Sequence, residues 1–199
     1  MSDQRQRQML NLVGVAGVAF FAIYLIRRIQ DGQVASALWA CHLASLLTGT
    51  GILLRRPTFI GIGVLWLVVG IPLWCVYLAI GGAFRPASLL THVGGLAVGV
   101  LGLKAIGMRS NLWWKAILVL LVLLAISRWL TPPELNVNLA FHFFHELRGS
   151  VSDHHALSLA VLTLIASLTF RVAEEGLKRW FPPRSQFANR ETLWDNLTA

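Results

Sequence analysis

The sequence predicts an all-α protein: a polytopic membrane bundle of about six transmembrane helices, both termini cytoplasmic, with an interfacial helix between the fifth and sixth spans. Three observations predict it. Of the 199 residues, 56% are hydrophobic and only 13% charged, where a soluble domain carries about 25% charged residues. Mean hydropathy is +0.65. The apolar residues gather into six runs with minimal punctuation between them. This composition excludes a soluble globular domain, and it equally excludes disorder, which needs low hydrophobicity and high net charge.

A span needs about 20 predominantly apolar residues, and the runs 9–26, 34–54, 58–80, 87–107, 112–130 and 156–173 meet or approach that. The first follows the basic leader MSDQRQRQ and has no small-residue cleavage site after it, so it reads as a retained span. Arg27-Arg28, Arg55-Arg56-Pro57, Gly81-Gly82 with Arg85-Pro86, Arg109-Ser110-Asn111 and Thr131-Pro132-Pro133 mark the turns. Without water, backbone polar groups must be satisfied within each run, and strands of a barrel would show short alternation instead. The runs are therefore helices. Pro72 inside the third run frees the carbonyl of Val68 and predicts a kink.

With the N-terminus inside, about 12 Lys and Arg fall on the cytoplasmic side and about 5 outside, Arg27-Arg28 among the latter. The bias predicts a multi-pass protein of the cell (inner) membrane. Residues 1–181 form one transmembrane domain, and 182–199 a polar cytoplasmic tail. The net charge of +8 would suggest nucleic acid in a soluble protein. Here the charges sit between apolar runs, so the partners are membrane lipids, with Arg55 and Arg56 facing the headgroups, and no nucleic acid. Trp113, Trp114, Trp74, Tyr77 and Trp129 lie near run ends and read as interface anchors.

Ionisable residues inside spans are expensive, so they are where function is sought first. Cys41 and His42 lie on the second run and His92 on the fourth, at similar depth in the outer leaflet. Cys41 heads a small or polar stripe, Ser45, Thr48 and Gly49, and His92 heads Gly95, Gly99 and Gly102. Such stripes mark close helix packing, so both residues face the bundle interior. A thiol beside an imidazole is the minimal activated nucleophile, because the ring can take the thiol proton and later return it to a leaving group. The bland alternatives are a packing cysteine, a histidine that only bonds a neighbouring helix, and a glycine stripe that only packs.

The residues Leu38-Trp39-Ala40-Cys41-His42-Leu43-Ala44, Thr91-His92-Val93-Gly94-Gly95 and Asn136-Val137-Asn138-Leu139-Ala140-Phe141 resemble the bacterial YwaF-like integral membrane proteins. A eukaryotic membrane family of cysteine-dependent phospholipid acyltransferases resembles these in turn. The resemblance covers about residues 35–175 through short motifs. It implies that Cys41 accepts the acyl group and His92 is its base. The chain departs from the pattern at His42, where the family often carries an acidic residue, and in its reduced N-terminal leader.

A second constellation is His142, His145 and Glu146 in the long connection, spaced to share a helix face and completed by His155 as a partial metal site. Haem is related chemistry, with His42 or His92 and a loop histidine as axial ligands. No spacing settles a cofactor. Cys75 lies at a depth similar to Cys41, and a disulfide between them requires touching helices. Two function classes remain: a lipid acyl-transfer or hydrolysis enzyme using Cys41 and His92, or a non-catalytic accessory subunit of a larger electron-transfer or light-harvesting complex, with other membrane subunits as partners. A transporter is disfavoured, since no Asp or Glu lies inside a run and no inverted repeat is visible.

Overall fold

A computed structural model describes residues 3–141 and 155–183. Every regular element among them is helical. The long helices are α1 (Asp3–Gln30), α2 (Ala40–Leu53), α3 (Pro57–Ala79), α4 (Pro86–Ile106), α5 (Trp113–Leu130) and α6 (His155–Trp180). Four of them, α1, α3, α4 and α5, are long and apolar enough to cross a membrane. The chain is a multi-pass all-α membrane bundle. Its outward faces carry large apolar side chains such as Leu12, Val76, Leu118, Leu164 and Val172, which suits hydrocarbon and would be untenable in water at this density.

Successive helices run in opposite directions. At one end Arg55 donates to Asn11 Oδ1 (2.7 Å), and the Met108 N–H bonds the Phe181 carbonyl (2.8 Å). At the other, Arg85 donates to Gln33 Oε1 (3.1 Å), and Asn138 Nδ2 donates to the Leu38 carbonyl (2.8 Å). We refer to these as the Arg55 end and the Arg28 end. Parallel α2 and α4 pack side by side with α1 and α3 antiparallel to both.

Small residues set the helix spacing. A Cβ on Gly49 would lie 2.6 Å from the Val18 nitrogen and 2.7 Å from the Gly14 carbonyl, so only glycine lets α2 touch the α1 backbone. On α4, the Cβ position of Gly95 meets Ser45 at 3.1 Å, and that of Gly99 meets Val64 at 2.4 Å. Around them the core toward the Arg55 end is aliphatic: Ile52, Ile60, Val64, Leu65, Leu67, Leu103 and Ile106 are all buried. Trp66 is tied into α5 by donating to the Ala116 carbonyl (3.1 Å).

The second run departs from the expected continuous span over 34–54. It breaks at Trp39 (φ −59°, ψ 130°) into a 3-10 turn, Val34–Leu38, and the 14-residue α2. At 1.5 Å per residue α2 is about 21 Å long, short of a ~30 Å hydrocarbon core. Non-helical backbone at that depth is tolerated where protein covers it, and Asn138 supplies the cover. Its Oδ1 accepts from the Ala40 N–H (2.8 Å), while its Nδ2 donates to Leu38 O and to Ser127 Oγ (2.9 Å). No proline marks the break. Pro72 sits on the exposed face of α3, which is continuous from Pro57 to Ala79.

Candidate functional site

Cys41, His42 and His92 converge at the Arg28 end, with one nitrogen or sulfur of each lying within 4.8 Å of the others. Three local features bring them there. The break at Trp39 starts α2 one residue before Cys41, so the residue lies in the first turn, where the helix dipole favours developing negative charge. Gly70 on α3 makes room for it, since a Cβ there would lie 3.0 Å from Cys41 Cβ. On α4, a π-turn over Leu90–Gly94 shifts the helical register at Thr91 and His92, a feature frequent at functional sites.

The hydrogen bonds fix where the ring protons are. Thr91 Oγ1 donates its only proton to the Ser88 carbonyl (3.0 Å). Its contact with His42 Nδ1 (2.7 Å) therefore has the ring donating. The Ser88 carbonyl also lies 2.8 Å from His92 Nδ1, which must again be the donor. Both neutral rings thus carry the proton on Nδ1 and a lone pair on Nε2. His92 is 1% exposed, and its Nε2 has no hydrogen-bond partner among the described residues. A buried polar atom without a partner is rare enough in proteins to require an explanation.

Aromatic rings hold the imidazoles. Tyr24 stacks on His42 (centroids 3.8 Å), His42 meets His92 edge-on (5.0 Å), and Trp74 stacks on His92 (4.6 Å). Trp74 is thus part of the site, where the sequence suggested an interface anchor. Tyr77, Trp114 and Trp129 are exposed at helix ends. Beyond Tyr24, Arg28 lies 5.5 Å over that ring, pairs with Asp31 and donates to Gln33 Oε1 (3.0 Å). His42, His92 and Thr91 are buried, whereas Cys41 is partly exposed.

The other sequence-selected residues fall elsewhere. His142, His145 and Glu146 lie outside the described residues, as does the side chain of His155, the first residue of α6. Cys75 is an exposed free thiol on α3 and is not part of the cluster. Gly95 and Gly99 pack α4 on α2 and α3. Arg55 turns back to the Ile52 carbonyl (2.9 Å) and across to α1, and Arg56, half-buried, precedes α3. Sequence reasoning missed Tyr24, Gly70, Trp74, Ser88 and Asn138. One signal was present: Gly70 and Trp74 are four apart on one helix, a small residue and an aromatic on the same face.

Glu174 lies in the charged stretch, with Glu175, Lys178 and Arg179, that ends the last helix. It is 1% exposed, and its carboxylate accepts the N–H groups of Asn111 (2.6 Å), Leu112 (2.8 Å) and Trp113 (2.7 Å). It caps α5 from another helix, which explains why α5 has no side-chain cap of its own.

Compared with known protein families, curated proteins and solved structures, the chain matches none. The class of molecule therefore rests on fold and site alone: a multi-pass helical membrane protein with a thiol and two imidazoles buried together between its helices.

Proposed function

We propose that the protein is a membrane enzyme that transfers or hydrolyses a lipid acyl group through Cys41. One observation carries this reading: a ring nitrogen of His92 lies within 4.8 Å of the cysteine sulfur, on a buried ring whose Nε2 has no hydrogen-bond partner among the described residues. A general base needs that arrangement. The Ser88 carbonyl orients the ring through Nδ1, the role a third group plays in nucleophile–base pairs. The resemblance of the Cys41, His92 and Asn138 segments to the YwaF-like proteins supports the same reading.

The chemistry runs in two halves. His92 Nε2 takes the thiol proton as the sulfur attacks the ester carbonyl of a lipid. The tetrahedral adduct collapses, its C–O bond breaks, and the departing alkoxide takes the proton back from His92. The acyl group now rests on Cys41 as a thioester. An acceptor alcohol, or water, then gives its proton to His92 as its oxygen attacks the thioester, and the sulfur leaves as the restored thiol. His42, held by Thr91 and Tyr24, packs edge-on against His92 and keeps its ring in place. The substrate class follows from the setting: the bundle's outward faces are apolar, and the esters available to such a protein within a membrane are those of lipids.

The test uses the purified full chain in vesicles containing a fluorescent-acyl phospholipid. Wild type is expected to release or move the labelled chain, and Cys41→Ala to lose that activity while melting at the wild-type temperature. Equal acyl turnover in folded Cys41→Ala would overturn the reading.

A further inference from the structure

We infer that Cys41, His42 and His92 form a binding site for a soft, closed-shell metal ion, with cuprous copper the charge-matched occupant. One ligand atom from each residue lies within 4.8 Å of the other two, close enough for one ion to draw all three together with small side-chain adjustments. Each imidazole is hydrogen-bonded through Nδ1, His42 to Thr91 Oγ1 (2.7 Å) and His92 to the Ser88 carbonyl (2.8 Å), which leaves Nε2 as the ring nitrogen open to an ion. Metal-binding histidines show this second-sphere pattern, in which the outer hydrogen bond fixes the tautomer and aims the other nitrogen at the metal. Independently, His92 Nε2 is buried with no partner among the described residues, and coordination would satisfy it.

The ligand set decides the class of ion. One thiolate and two neutral imidazoles are soft to intermediate donors, which select copper(I) or zinc and not magnesium or calcium. Charge separates the first two. Binding follows Cys–SH + Cu⁺ → Cys–S–Cu + H⁺, leaving a neutral centre, whereas Zn²⁺ would leave a net positive charge among apolar helices. An uncompensated charge in that setting is costly. Among the described residues no Asp or Glu joins the group, and the Asp31 carboxylate is already paired with Arg28, so none offsets a divalent ion. Three protein ligands suffice for cuprous copper.

Occupancy would also regulate the enzyme, and this part rests on the acyl-transfer reading. The metal takes the sulfur and the His92 lone pair together, so the copper-bound protein cannot acylate. Copper removal restores activity.

The experiment is a competition, under anaerobic conditions, between the full chain in detergent and the coloured cuprous complex of bicinchoninate. Wild type and Cys75→Ser are expected to withdraw one equivalent of copper. Cys41→Ser and His92→Gln should lose that competition, and Thr91→Val, which removes the outer bond to His42 together with the hydroxyl's bond to the Ser88 carbonyl, should weaken it by about 10–100-fold. Matching melting curves establish that each variant is folded. Copper retained by wild-type protein no better than by both Cys41→Ser and His92→Gln overturns the site, as does one-to-one binding of zinc with none of copper. Acyl transfer measured on the same metal-free preparation separates the two claims. Copper binding without acyl transfer removes the regulation and keeps the site, and acyl transfer without copper binding removes both the site and its regulation and keeps the enzyme.

Discussion

The two ends of the bundle are buried by the same four helices but filled with different chemistry. Toward the Arg55 end, α1 to α4 pack through Gly49, Gly99 and a block of Ile, Leu and Val with no polar side chain left to satisfy. Toward the Arg28 end, the same helices enclose His42, Thr91, Ser88 and His92, fastened by short hydrogen bonds and stacked rings. In the polar cluster the buried His92 Nε2 has no partner among the described residues, which marks it as a place where the fold spends stability on something besides packing.

That contrast can be broken in a definite order. The largest effect on chemistry is expected from Cys41→Ala, which should reduce acyl transfer to background in a vesicle assay with the melting temperature unchanged. A fall in stability instead would make the sulfur a packing group. The largest effect on folding belongs to the opposite end. Gly49→Leu drives a side chain into the α1 backbone, and overpacking of this kind costs about 1–3 kcal/mol or more. Thermal unfolding in detergent should register it, with residual activity scaling only with the folded fraction.

Glu174→Ala should follow. It strands three N–H groups at the start of α5, each worth about 1–3 kcal/mol if left unsatisfied and less where water reaches. Glu174→Gln keeps one acceptor oxygen and is expected to lose less; equal losses would mean the charge on the helix end, not the hydrogen bonds, was the main contribution. Asn138 sharpens the comparison from the site side. Asn138→Asp retains the acceptor for the Ala40 N–H and loses the donor to Leu38, so it should lower kcat more than melting temperature by loosening the break before Cys41. A purely structural role would lower both in step. Cys75→Ser, on an exposed face, should change neither by a measurable amount.

Much of this architecture was visible in the residues. Six apolar runs became six helices because hydrocarbon forces each run to satisfy its own backbone. Small residues at three- and four-residue spacing marked the faces that meet, and equal depth on parallel helices put Cys41 and His92 together on paper. What stayed hidden depends on tertiary partners. The break at Trp39 carries no proline or glycine and is held open by Asn138, nearly a hundred residues away. Trp74 sits at the depth where tryptophans commonly meet headgroups, so only the packed structure reveals that it stacks on His92. Glu174 belongs to a charged stretch whose composition reads as an exit into water, yet its carboxylate is consumed by the start of another helix. His42 was visible as a departure from a family pattern; its shared geometry with His92 was not.

The account's central claim is that Cys41 carries the acyl group. Intact-protein mass spectrometry after brief incubation with a lipid ester, quenched in acid to preserve thioesters, tests it most directly. The account predicts an added mass equal to one acyl chain, removed by hydroxylamine, mapped to Cys41 and missing from Cys41→Ala. An adduct on Cys75 alone, or acyl turnover with unmodified Cys41 at every time sampled, would contradict it.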